Sequence, residues 1–293
     1  FGSSHLAQVK ARALSCSVLP LASEVTGQKM STANVGISDA GTKPKSFAFI
    51  FGMASGHINP SFPIARGLVK LGHQVHYLSR EQMREPIEDT GATFHSDIEN
   101  EPELYSGRDP GMFAAIDDLK EEHGMQHDSM IVAAFKLEEV IHEMMLPGLI
   151  RWLRKVGAQA VVYCPMINKE GALAGKVCGI PRIALLTTAG PGSLATCLHA
   201  MLGAQGLTPD DLREMRRAHP PCGERIDGLN AKYGLSLTVD SAYKPVGRME
   251  SVILSTVTLV TSCEDLQDPV PPELARAYED AKVRFVSVGP LLD

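Results

Sequence analysis

Apolar residues along this chain fall into two alternating rhythms, clearest between residues 47 and 78. Residues 47–53 form an unbroken apolar and aromatic run, the pattern of a parallel strand covered on both faces. Phe62, Ile64, Ala65, Leu68, Val69 and Leu71 then recur near helical spacing, and Gly72 supplies a left-handed stop. Val75, Tyr77 and Leu78 begin a second strand, so the stretch predicts one strand–helix–strand unit. Within it Asn59 is expected to cap the helix and Pro60 to take its first position. That places His57 between the carboxyl end of a strand and the start of a helix, where open α/β sheets hold ligands.

The rhythm continues downstream. The pattern predicts a short helix over 81–91 ending at Gly91, a third strand over 92–95, an acidic loop over 96–109 and a helix over 111–123. A long helix over 128–156 follows, with Pro147 as a place to bend, and a strand over 160–163 leads to Cys164 and Pro165. Then come a helix over 170–177, a buried strand within 179–188 and a mostly helical stretch over 197–237, broken at Pro209 and at Pro220 and Pro221. The apolar run 249–260 reads as one more strand, and 284–288 as the last. Helices alternating with buried strands make this an α/β fold, a Rossmann-like sheet parallel throughout and flanked by helices, over residues 46–293. Residues 1–45 are rich in Ser, Ala, Thr and Gly without either rhythm, and are expected to be a disordered leader or extension.

Composition narrows the partners. A formal charge of −6 gives no broad basic field, which argues against a nucleic-acid partner. Arg213, Arg216 and Arg217 follow Asp210, Asp211 and Glu214 at helical spacings and read as a solvated helix face with internal ion pairs. No apolar run approaches the length of about 20 residues that a membrane-crossing helix needs. Six cysteines lie far apart with no Cys-x-x-Cys pair, against a zinc site or a disulfide scaffold. A cytoplasmic location is therefore expected, with organellar targeting by the leader as the alternative. His73, His76, Met144 and Met145 read as packing or solvent-facing residues, so no metal is expected. The glycines form no Gly-x-Gly-x-x-Gly fingerprint, so no nicotinamide or flavin cofactor is expected either.

Gly56, His57, Ile58, Asn59 and Pro60, directly after a hydrophobic strand and followed past a helix by Gly72, His73, Gln74 and Val75, resemble the start of the UDP-glycosyltransferases, a family with macrolide, plant and sterol members. The likeness runs over 46–292. It includes Gly179, Ile180 and Pro181 before a strand, and residues 286–291, which are similar to the segment leading into that family's interdomain linker. Such proteins have two facing Rossmann-like domains, the GT-B arrangement, the first holding mainly the acceptor and the second mainly the nucleotide sugar. By that resemblance residues 46–293 are the N-terminal, acceptor-binding domain and the C-terminal nucleotide-sugar domain is absent.

The resemblance implies that His57 takes the proton of an acceptor hydroxyl while its oxygen attacks the anomeric carbon, inverting the sugar, as the nucleotide diphosphate departs. The donor, a UDP-hexose, enters as co-substrate. A helix N-terminus disfavours imidazolium and would keep the ring neutral. In many relatives an Asp after a later strand orients the other ring nitrogen; here that position falls near Cys164 or Pro165, which leaves Glu170 or Asp97 as orienters. Gly56 and Asn59 are candidate substrate-binding residues beside His57, and Met53, Phe113, Met166 and Leu194 are candidates for an apolar acceptor pocket. Two functions follow: hexosyl transfer to a hydroxyl of a lipophilic small molecule, inactive in this chain alone, or a noncatalytic small-molecule or partner-binding module of the same fold. The first is the leading expectation, and the missing carboxylate is the feature that discriminates the second from it.

Overall fold

A computed structural model of the chain describes residues 43–111, 113–239 and 243–291. The leader expected over 1–45 lies, up to residue 42, outside the described residues. Among the described residues seven strands form one sheet: β1 (Ser46–Ile50), β2 (Gln74–Ser79), β3 (Thr93–Ser96), β4 (Ala160–Tyr163), β5 (Arg182–Leu186), β6 (Val257–Val260) and β7 (Phe285–Ser287). Their order is β3-β2-β1-β4-β5-β6-β7 and every pairing is parallel, as the apolar strand runs imply.

Each central strand divides its side chains between two helical layers with a period of two. Ala48, Ile50, Val161 and Tyr163 face one layer, dominated by Leu146, Leu149 and Trp152 of the helix Glu138–Lys155. Phe49, Phe51, Tyr77 and Val162 face the other, where Phe62 and Ala65 of the helix Phe62–Lys70 and Ile87 cover them. A third apolar cluster, with Leu186, Leu194, Leu198 and Val260, closes the β5–β6 end. The helix Glu170–Val177 lies so close to β4 that a Cβ at Gly171 would come within 2.7 Å of the Tyr163 Cβ. Gly72, at φ 81°, ends the first helix in the left-handed region, as expected.

Several boundaries differ from expectation. Helical turns start at Ser55, not Asn59, because the amides of His57 and Ile58 already bond to the Ala54 carbonyl at 2.9 and 3.1 Å. Asn59 and Pro60 then fall within a run of turns, Ser55–Ile58, Asn59–Ser61 and Phe62–Lys70, and Asn59 supplies no side-chain cap. The stretch 128–156 is two helices, Met130–Lys136 and Glu138–Lys155, separated at Leu137, and the second runs on through Pro147. The expected helix over 111–123 is shorter, Ile116–Glu122. Only the end of the run 249–260 is strand: Glu250–Ile253 is a helical turn whose Val252 is buried in the third cluster, so its apolarity reflects packing. Among the described residues no helix is long and apolar enough to cross a membrane.

Candidate active site

Strand order builds the site. The chain leaves β1 toward β2 and returns on the other side of β1 as β4, so the loops after β1 and β4 diverge and open a crevice at their carboxyl ends. The Gly52 amide donates to the Asn168 side-chain oxygen at 2.9 Å, tying the two loops together. His57 follows β1, Cys164 follows β4 and Thr187 follows β5, three neighbouring strands, and their side chains meet. His57 Nδ1 lies 3.1 Å from Cys164 Sγ and 3.4 Å from Thr187 Oγ1. No hydrogen bond among the described residues engages Nε2.

Burial lowers the His57 pKa, so the ring is neutral near pH 7; the four-residue turn that carries it adds little dipole, contrary to the reason expected from the helix start. Burial also pushes the Cys164 thiol up to about 11, so Nδ1 faces a neutral S–H group. Neither carboxylate expected as orienter takes that place. Asp97 accepts from Arg80 Nε at 2.6 Å, and Glu170 Oε1 lies 3.5 Å from His142 Nε2. Cys164 itself holds the ring.

Beside His57 opens a cavity of about 420 Å³. Met53, His57, Phe113 and Met166 all line it. The other three candidates do not: Gly56 and Asn59 point to solvent at the exposed turn, and Leu194, 3% exposed, is packed into the cluster at the β5–β6 end. Leu194 opens the helix Ser193–Gly203, and an apolar residue at such a position serves core or cavity equally well by sequence.

The cavity wall also holds Asp97, expected only as an orienter of His57, and titratable residues that the sequence pattern did not mark: Arg80, Glu101, Glu138, His142 and Lys169. Arg80 and Asp97 directly follow β2 and β3, and their place at strand carboxyl ends was a usable signal. Glu138, Glu101 and His142 carried none. Behind the wall, Lys169 Nζ donates to Glu138 at 2.6 Å and to Tyr243 at 2.6 Å, and Arg216 bonds Glu138 at 2.6 Å and also Glu139. Arg216 is fully buried, which corrects the expectation of a solvated Arg213–Arg217 face: only Arg217 of the three is exposed.

No protein-family model matches the chain, and no curated protein does. Solved structures do. The chain has a GT-B glycosyltransferase-like fold, with its all-parallel sheet flanked by helices. The glycotransferase of kitacinnamycin is similar over 86% of this chain and 53% of its own, with TM-score 0.54 and 18% identity. CalG4, the calicheamicin glycosyltransferase, is similar over 85% of this chain and 53% of its own, with TM-score 0.50 and 17% identity. The chain thus spans about half the length of these structures.

Proposed function

We propose that this chain supplies the acceptor cavity and the general base for sugar transfer from a nucleotide sugar, a UDP-hexose, to a hydroxyl of a lipophilic small molecule. One observation carries the reading: a neutral imidazole on the wall of a mainly apolar cavity, with Nδ1 held and Nε2 without a partner. In the competent tautomer Nδ1–H donates to Cys164 Sγ or Thr187 Oγ1 and the Nε2 lone pair is available. As the acceptor oxygen bonds to the anomeric carbon, its proton passes to Nε2. The bond from that carbon to the diphosphate breaks with its electron pair, and attack opposite the leaving group inverts the centre. Met53, Phe113 and Met166 offer the acceptor an apolar, adaptable surface.

The reading is tested by turnover of labelled UDP-hexose with a panel of lipophilic alcohols, using the longest natural product that contains this chain. His57→Ala is expected to lower kcat about 10²–10⁴-fold, the usual worth of a positioned base. Equal rates in the two proteins would remove His57 from the chemistry. A specific observation also favours a noncatalytic binding module: the Cys164 thiol, neutral below about pH 11, brings no charge to stabilise an imidazolium. Acceptor binding without turnover by any sugar donor would select that second reading.

A further inference from the structure

The cavity contains polar side chains that the transfer step does not use. Glu101, His142 and Glu170 line it at 1%, 6% and 6% exposure. Glu101 Oε2, Glu170 Oε2 and both ring nitrogens of His142 have no hydrogen-bond partner among the described residues. They converge from three elements: Glu101 after the turn Asp97–Asn100, His142 in the helix Glu138–Lys155, and Glu170 at the start of the helix Glu170–Val177. His142 Nε2 and Glu170 Oε1 lie 3.5 Å apart.

Buried polar atoms are normally satisfied, so a cluster of orphans on a cavity wall marks where a ligand supplies the missing bonds. The kind of ligand follows from what is short. The cations on this wall are already spent on other groups: Arg80 holds Asp97 at 2.6 Å and Tyr105 at 2.9 Å, and Lys169 holds Glu138 and Tyr243 at 2.6 Å each. Two carboxyls are left without a counter-ion, beside an imidazole that can accept one bond. A ligand hydroxyl brings one donor and no charge. A protonated amine brings up to three donors and the missing charge.

We infer that Glu101, Glu170 and His142 form an ammonium-recognition end of this cavity, whose ligand is a lipophilic molecule with a basic nitrogen. Its apolar body lies against Met53, Met145 and Met166 while its N–H groups donate to the carboxylates and to the imidazole. Naming that ligand the sugar acceptor rests on the function proposed above, whereas the binding site itself does not.

Protonation gives the site a pH signature. Burial raises Glu170 to about 7, with Glu138 adding to the rise and Lys169 opposing it; the Cys164 thiol at the end of β4 faces the same carboxyl and is neutral. Burial raises Glu101 well above the ordinary range, reinforced by Asp97, Glu170 and Glu103 and opposed by Arg80. Burial holds His142 down to about 4, so it stays neutral above pH 5.5. An alkylamine remains protonated to about pH 10, as a lysine does. Amine binding therefore strengthens as pH rises from 5.5 to 8 and Glu170 ionises, and binding of the matched alcohol does not.

Calorimetric titration of this chain with 1-adamantanamine and 1-adamantanol, a pair equal in shape, tests the site without any sugar donor. The amine is expected to bind at least tenfold more tightly than the alcohol at pH 8, with the ratio shrinking at pH 5.5. Glu101→Gln and Glu170→Gln should each cost about tenfold in amine affinity and leave the alcohol unchanged. Equal affinities for the pair, a ratio independent of pH, or no binding of either compound at millimolar concentration would overturn the inference. If a variant fails to fold, the wild-type ratio and its pH dependence still decide. Absence of sugar transfer by the longest natural product that contains this chain, alongside tight amine binding, would remove the enzyme reading and leave this one standing.

Discussion

At the scale of single residues the site turns on what faces His57 Nδ1. A carboxylate there would stabilise the imidazolium and raise the ring's pKa; the buried thiol of Cys164 does neither. Cys164→Asp is accordingly expected to raise the His57 pKa by at least one unit, read from the pH titration of its ring protons by NMR. Under the proposed function the acidic limb of the transfer pH profile should move up with it, since a His57 base would be lost to protonation at a higher pH. An unshifted ring titration in a folded variant would mean that residue 164 does not face Nδ1 in solution. Here sequence and structure disagree instructively. The resemblance placed the orienting position at residues 164–165, and that location was legible. That a thiol would occupy it at 3.1 Å, in place of Asp97 or Glu170, was not, because those carboxylates were assigned by chain position and are occupied by Arg80 and turned toward His142.

At the scale of elements, periodicity showed where helices lie better than which charges they bury. The helix Pro209–Arg217 begins with a capping box between Thr208 and Asp211 and ends in arginines, signs of a solvated helix. Yet Arg216 lies one turn beyond Leu212, on the buried stripe, and enters the cluster of Glu138, Glu139 and Tyr243. The spacing to Leu212 was the available clue; the alternation of charge outweighed it. Glu138 and Glu139 begin the helix that walls the cavity, so Arg216 helps to fix that wall. Removing one partner of a buried ion pair leaves the others uncompensated, and Arg216→Ala is expected to cost about 3–5 kcal/mol in urea denaturation. Arg217→Ala, one residue on and exposed, should stay within about 0.5 kcal/mol. Similar losses for the two would show that Arg216 is not held inside by its carboxylates.

At the scale of the whole molecule, the strands were readable because a parallel strand between two helical layers is apolar on both faces, and such runs stand out in isolation. Their order was not readable from the runs alone, since pairing β1 with β4 joins Ile50 to Tyr163, more than a hundred positions apart. The cavity was half readable for the same reason: Met53 and Met166 sit at strand ends that the pattern marked, whereas Glu101, between two short helical turns, and His142, in the helix Glu138–Lys155, are placed there only by the assembled fold. Under the function proposed above, that assembly leaves this chain with the acceptor and not the donor. The cavity is walled by the carboxyl ends of β1 through β4, while its cations, Arg80 and Lys169, are held by Asp97 and Glu138, and the chain carries a net charge of −6. None of these features suits a diphosphate, and the chain spans 53% of the glycosyltransferase structures it matches. In thermal unfolding, 1-adamantanamine at about a hundred times its Kd should therefore stabilise this chain by about 2.7 kcal/mol, while millimolar UDP-hexose leaves the Tm unmoved. A clear rise in Tm with the nucleotide sugar alone would place the donor site on this chain and undo that division.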